Sequence, residues 1–386
     1  MRKKISLGIL ILVLSIPLIM WVIWLATPNT KLVIAIVDKT VLTSEGQEHI
    51  SLNWVLNHEK YTKTSEKPYK VSHDYFGFFP EDNEKFKLKG LERFSFSKLS
   101  QLSNDADLAY FTDTYGIYNN EWFQEGDDKE RSGILYGGLS DKDIQLLKLM
   151  KEKGKLVITE FNTIGSPTAY ENRTRFEKMF KVRWTGWTAR YFDNLNPREN
   201  KEIPKWLIRN YKNSHKGRWP FKSSGIAFVN NKDQVVILEN GTHLNNSMPH
   251  IETNEKFQNT YELPERIKYP FWFDIITPDK KVNSVVSSFK IDANNKGLEE
   301  LKKFNIPSEF PAVTEHIDSD YNFFYFSGDF ADNPVGMNSS YFSGIGYFKG
   351  LFYDERNTME RSSFFWNYYK PLLTTILQQY SEKGIN

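Results

Sequence analysis

The segment from Ser140 to Phe180 constrains the fold most. Ser140 stands three residues before Asp143, a short-armed capping box, and Ile144, Leu146, Leu147, Leu149 and Met150 then supply the apolar face of a helix that Gly154 stops. Residues 155–159 (KLVIT) follow as a short apolar run, and Ser166-Pro167 opens a second predicted helix with Phe176 and Phe180 on its inner side. Strand–helix alternation at this spacing argues for a parallel sheet with both faces covered. Three further runs fit as its strands: residues 32–37 (LVIAIV), 107–112 (DLAYFT) and 321–327 (YNFFYFS). A helix is expected over 48–61 and another around 97–102. Residues 62–96 and 116–131 read as loops. Residues 359–380 read as a closing helix kinked at Pro371.

The N-terminus sets a second constraint. Residues 5–26 are apolar apart from Ser6, Gly8, Ser15 and Pro17, and they follow Arg2-Lys3-Lys4. About 20 apolar residues cross the hydrocarbon core. A cleavable leader has a shorter apolar region and small residues before its cut, whereas Trp24 stands two residues before Ala26. The reading is an uncleaved single-pass cell-membrane anchor within residues 1–30, N-terminus cytoplasmic, with residues 31–386 extracytoplasmic.

Composition removes several classes of function. Lys+Arg 50 against Asp+Glu 48 gives a net charge of +2, so nucleic acid has no electrostatic footprint here. The chain has no cysteine, which excludes disulfides, thiolate zinc sites and a cysteine nucleophile. Its seven histidines form neither HxH nor HExxH. No GxGxxG, Walker or GxSxG motif occurs. No cofactor and no metal are expected; calcium on Asp329 and Asp332 of "GDFADN" is a minor alternative, since the stretch is too short for an EF-hand loop.

Strand order and turn residues give a resemblance. The early strand, the "GGLS–helix–GKLVITEFN" unit and the late "FFYFSGDFADNP" followed by a terminal helix resemble the class I glutamine amidotransferase-like superfamily, trehalose-utilisation-type domains in particular. The resemblance covers about residues 31–180 and 305–382, with a β-rich insertion at about 181–304. It implies an α/β fold: a flavodoxin-like, doubly wound, mainly parallel sheet carrying that insertion, preceded by one transmembrane helix. The superfamily's catalytic cysteine and late histidine have no counterpart at the elbow over 160–165 or at Asp329. The implied protein is a pseudoenzyme that keeps the fold and lacks the glutaminase reaction.

Ligands of such sheets bind beyond the carboxyl ends of the strands. Asp38, Asp113, Glu160 and Asp329 each stand just past a predicted strand and are the candidate catalytic carboxylates, although Asp also caps turns there. Asn162 follows Glu160 as a ligand-binding candidate, with Ser166 explained as a helix cap. "WTGWTARYF" adds Trp184, Trp187, Arg190 and Tyr191, as stacking surface for a sugar or as a packed corner. The favoured function is non-catalytic binding of cell-envelope carbohydrate or envelope-assembly partners. The alternative is a polysaccharide hydrolase or lyase that pairs Glu160 with Asp38, Asp113 or Asp329.

Overall fold

The four runs expected to be strands lie side by side and parallel in the computed structural model, which describes residues 2–123, 126–127 and 130–384, the side chains of 2–13 and 383–384 apart. A fifth joins them. The parallel strands are β1 (Ile34–Asp38), β2 (Phe76–Pro80), β3 (Leu108–Asp113), β4 (Leu156–Thr159) and β5 (Asn322–Phe326), in the spatial order β2-β1-β3-β4-β5. The order reverses between β1 and β3, which is where an open sheet of this kind leaves a crevice past its strand ends.

Period-two alternation divides these strands between two cores. Ile34, Ile36, Leu108, Tyr110, Ile158 and Phe324 pack on one face, against Trp54 of the helix Ile50–His58 and against Leu372, Leu373 and Ile376 of Lys370–Gly384. Ala35, Val37, Ala109, Phe111, Val157 and Phe323 pack on the other, against Leu99, Ile144, Leu147, Phe176 and Phe180 from three more helices. Burying one such large side chain fully is worth about 1.5–3 kcal/mol, so strands apolar on both faces are fixed in the middle layer.

Antiparallel strands extend the sheet. Phe86–Leu88 pairs with β2, and Glu309–Ile317, Ser284–Lys290, His250–Thr253 and Arg266–Lys268 continue outward from β5 to complete ten strands. A second, four-stranded antiparallel sheet consists of Val235–Glu239, Gly225–Asn230, Val182–Phe192 and Trp272–Pro278. It is joined to the carboxyl end of β5, because Asp274 N–H donates to Ser327 O at 2.7 Å and Phe273 bridges Gly328. Residues 181–304 therefore serve both sheets.

Several local expectations give way. The stretch 62–96 contains the fifth parallel strand, hidden by Gly77 and Pro80. A Cβ on Gly77 would stand 1.6 Å from the Asp38 carbonyl oxygen, so the glycine marks close approach of two backbones. The helix expected from Ser166-Pro167 begins at Tyr170, with Ala169 as its N-cap residue. Ser166 caps nothing there, because Thr168 ties the preceding turn down: its hydroxyl donates to Thr163 O and accepts from Leu139 N–H. The C-terminal helix meets Pro371 with a π turn over Phe365–Tyr369, which absorbs the missing backbone donor.

The N-terminal helix spans Arg2–Ala26. Its end rests on the α/β body: Trp24 Nε1 donates to Asn57 O at 3.2 Å, and Ser343 N–H donates to Met20 O at 3.2 Å. Among the described residues no helix is long and apolar enough to cross a membrane. The side chains of residues 5–13, the first part of the expected anchor, lie outside the described residues.

Candidate functional site

A cavity of about 1330 Å³ opens past the carboxyl ends of the parallel strands, between them and the second sheet. Asp113 comes from the end of β3, Asn162 from the turn after β4, and Asp329 and Asp332 from the turn after β5. Glu48 enters from the short helical turn Gln47–His49. One carboxylate oxygen from each of Glu48, Asp113 and Asp329 lies within 4.8 Å of the other two.

This proximity is electrostatically costly. Burial pushes the Asp113 carboxyl up to about 8, opposed by the Tyr115 N–H that it accepts at 2.5 Å and reinforced by Asp38. Burial, then Asp332, then Asp113 push Asp329 well above the carboxylate range. Desolvation, then Asp332 and Asp329, do the same to Glu48, which is mostly buried. Like charges at this range cannot all ionise without a counter-charge. Arg361 supplies part of one, donating to Asp332 O at 2.6 Å and to its Oδ2 at 3.1 Å. Two buried oxygens, Asp329 Oδ1 and Asp332 Oδ1, have no hydrogen-bond partner among the described residues.

The opposite wall is aromatic. Trp272 stacks on Phe161 with ring centroids 6.5 Å apart, and both border the cavity with Trp184, Trp206 and Phe271. Arg190 reaches the same wall, its guanidinium 5.3 Å from the Phe271 centroid and 5.6 Å from that of Trp272. It pairs with Glu202, and its Nε has no hydrogen-bond partner among the described residues.

The sequence candidates divide. Asp113, Asp329, Asn162, Trp184 and Arg190 line the cavity. Asn162 holds the left-handed conformation (φ 61°) that asparagine tolerates, and its N–H donates to Asp274 Oδ2 at 2.9 Å. Trp187 and Tyr191 lie in the main core, because alternation along Val182–Phe192 turns them from the ligand side. Asp38 is fully buried, with Oδ2 on His49 Nδ1 at 2.5 Å and Oδ1 accepting the Thr40 N–H at 3.0 Å. Glu160 is also fully buried and lies off the cavity. Its Oε1 accepts the Tyr110 hydroxyl, and its Oε2 accepts the Phe330 and Ala331 N–H groups at 2.9 Å each. Burial pushes its carboxyl up to about 8. Both oxygens are occupied, so Glu160 shapes the acidic turn and presents no free base to a ligand.

Sequence reasoning missed Glu48, Trp272 and Arg361 as site residues. Glu48 looked like the first residue of an amphipathic helix, and Arg361 like part of the closing one. The doubled aromatic of "YPFWFD" was the available signal for Trp272.

No family model matches the sequence, and no curated protein matches it. Among solved structures, the chain is similar to a ThuA-like protein from Bacteroides uniformis at 11% identity and TM-score 0.35, over 82% of this chain and 89% of that one. A ThuA-like protein from Parabacteroides merdae gives 11% and 0.34, over 78% and 79%. A β-galactosidase from Bacillus circulans sp. alkalophilus gives 9% and 0.28, over 62% and 22%, so the chain spans about a fifth of that enzyme's length.

Proposed function

We propose that this chain is a membrane-anchored extracytoplasmic protein that binds cell-envelope carbohydrate, without catalysis, in the cavity between its two sheets. The observation that carries the reading is an aromatic wall, Trp272 with Phe161 and Phe271, facing an acidic floor of Glu48, Asp113, Asp329 and Asp332. Sugar CH faces pack on rings, while carboxylates and Arg190 accept from and donate to hydroxyl groups. Arg190 Nε and Asp332 Oδ1, without hydrogen-bond partners among the described residues, are groups that such hydroxyls satisfy. The parallel order β2-β1-β3-β4-β5 supports a flavodoxin-like, amidotransferase-like core, and the lack of any cysteine supports its being a degenerate one.

The anchor reading draws on the apolar run over 5–26 and on its surroundings. Ser343, whose N–H donates to Met20 O, leads into the segment Ile345–Leu351, where Tyr347 is 93% and Leu351 81% exposed. Large apolar side chains flanking the end of an apolar helix suit a bilayer interface. The binding reading is tested by co-sedimentation of the full-length chain, in detergent, with insoluble cell-wall polysaccharide. Retention that soluble fragments of that polysaccharide compete away is expected; no retention contradicts it.

A further inference from the structure

We propose that Glu48, Asp113 and Asp329 form a calcium site in the floor of the cavity. Their three carboxylates come from separate parts of the chain, the turn before the helix Ile50–His58 and the ends of β3 and β5, yet bring an oxygen each to within 4.8 Å of one another. Folding therefore assembles the cluster, at the cost of gathering like charges in a poorly solvated place. A cation offsets that cost.

A second observation points to the same spot. Asp329 is 6% exposed and borders the cavity, and its Oδ1 has no hydrogen-bond partner among the described residues. Buried carboxylate oxygens of this kind ordinarily accept hydrogen bonds, and each one left over calls for an ion, a water or a ligand group. Asp329 also has its neighbouring amides fixed elsewhere, since Phe330 and Ala331 N–H both donate to Glu160. The 329–332 turn is thus held with its oxygens, and not its amides, toward the floor.

Ligand chemistry and size select the ion. An all-carboxylate set favours hard cations over zinc or copper. Oxygens on opposite sides of calcium, at about 2.3–2.6 Å each, stand up to about 5 Å apart, while magnesium at about 2.0–2.1 Å spans only about 4.2 Å. Oxygens within 4.8 Å of one another are close enough to share one calcium ion, whose flexible shell tolerates unequal separations better than the near-octahedral shell of magnesium. Solvent would complete its shell. The inference stands apart from the carbohydrate reading, and it is tested without any sugar.

The test uses the full-length chain in detergent, stripped with chelator and then titrated with Ca²⁺, Mg²⁺ or Tb³⁺. Wild type should melt several degrees higher with Ca²⁺ than with equal Mg²⁺. Tb³⁺ bound in the floor should emit when the neighbouring Tyr and Trp side chains are excited, and Ca²⁺ should quench that emission by competition. Asp329→Asn, which removes a repelling charge and so leaves the metal-free protein folded, should weaken Ca²⁺ binding at least tenfold. Glu48→Gln, which likewise removes a repelling charge, gives an independent loss of similar size. No Ca²⁺ response of wild type at millimolar concentration, an equal response to Mg²⁺, or full Ca²⁺ binding by both variants would overturn the proposal.

Discussion

The carboxyl group of Glu160 receives the Ala331 N–H at 2.9 Å, tying the end of β4 to the turn that follows β5. That carboxyl also holds the Phe330 N–H and the Tyr110 hydroxyl. Glu160→Gln keeps an oxygen for the two amides and offers its NH₂ to the tyrosine oxygen, so a change below about 1.5 kcal/mol is expected. Glu160→Ala orphans the Phe330 and Ala331 N–H groups, at about 1–3 kcal/mol each, and releases the acidic turn, while the Tyr110 hydroxyl keeps the Tyr369 hydroxyl at 2.9 Å. Denaturant midpoints of the two variants check this. Equal losses in both would contradict this role for the hydrogen bonds.

Lys39 is the buried cation on the far side of β1. Its Nζ donates to Asp143 Oδ2 at 2.6 Å, to Gly138 O at 3.0 Å and to Glu92. Asp143 is fully buried, so Lys39→Met leaves its charge uncompensated, at about 3–5 kcal/mol. The double variant Lys39→Met/Asp143→Asn should recover part of that loss. Unfolding curves that show no recovery would count against the ion pair.

Asp274 makes stability depend on pH. Burial pushes its carboxyl up from 3.8 to about 6, against the Thr188 hydroxyl, the Asn162 N–H and the Tyr325 hydroxyl that it accepts. Between those two pH values the native state binds more protons than the unfolded chain, so this group's contribution falls as pH rises from about 4 to about 6. The loss is about 3 kcal/mol and is complete by pH 7. Wild type should lose that much more stability than Asp274→Asn between pH 4 and pH 7. Urea midpoints with identical pH dependence in the two proteins would refute it.

The anchor reading predicts where a protease can reach. Added outside intact cells or spheroplasts, it should degrade the chain beyond about residue 30 and leave a small membrane-bound fragment. A mature N-terminus at Thr27 by mass spectrometry would replace the anchor with a cleaved leader.

The middle of the fold was legible because strands buried on both faces are continuous apolar runs, as at residues 32–37 and 107–112. Phe76–Pro80 was not legible, since its glycine and proline, which answer to backbone contact and strand end, resemble loop punctuation. At the site, Asp113 and Asp329 could be read from their place after strands. Which carboxylates turn inward could not, because that depends on partners distant in sequence. Asp38 is claimed by His49, and Glu160 by Phe330 and Ala331. Glu48 joins the cluster only through the packing of Gln47–His49 beside β3.

The carbohydrate reading is tested most directly by a quantitative glycan array probed with the full-length chain and with Trp272→Ala, which removes the half-buried ring stacked on Phe161. Selective binding of wild type to a group of related envelope glycans, reduced at least tenfold in a Trp272→Ala protein with an unchanged melting temperature, is the predicted result. An array on which wild type binds no glycan, or binds equally well without the Trp272 ring, would contradict the account.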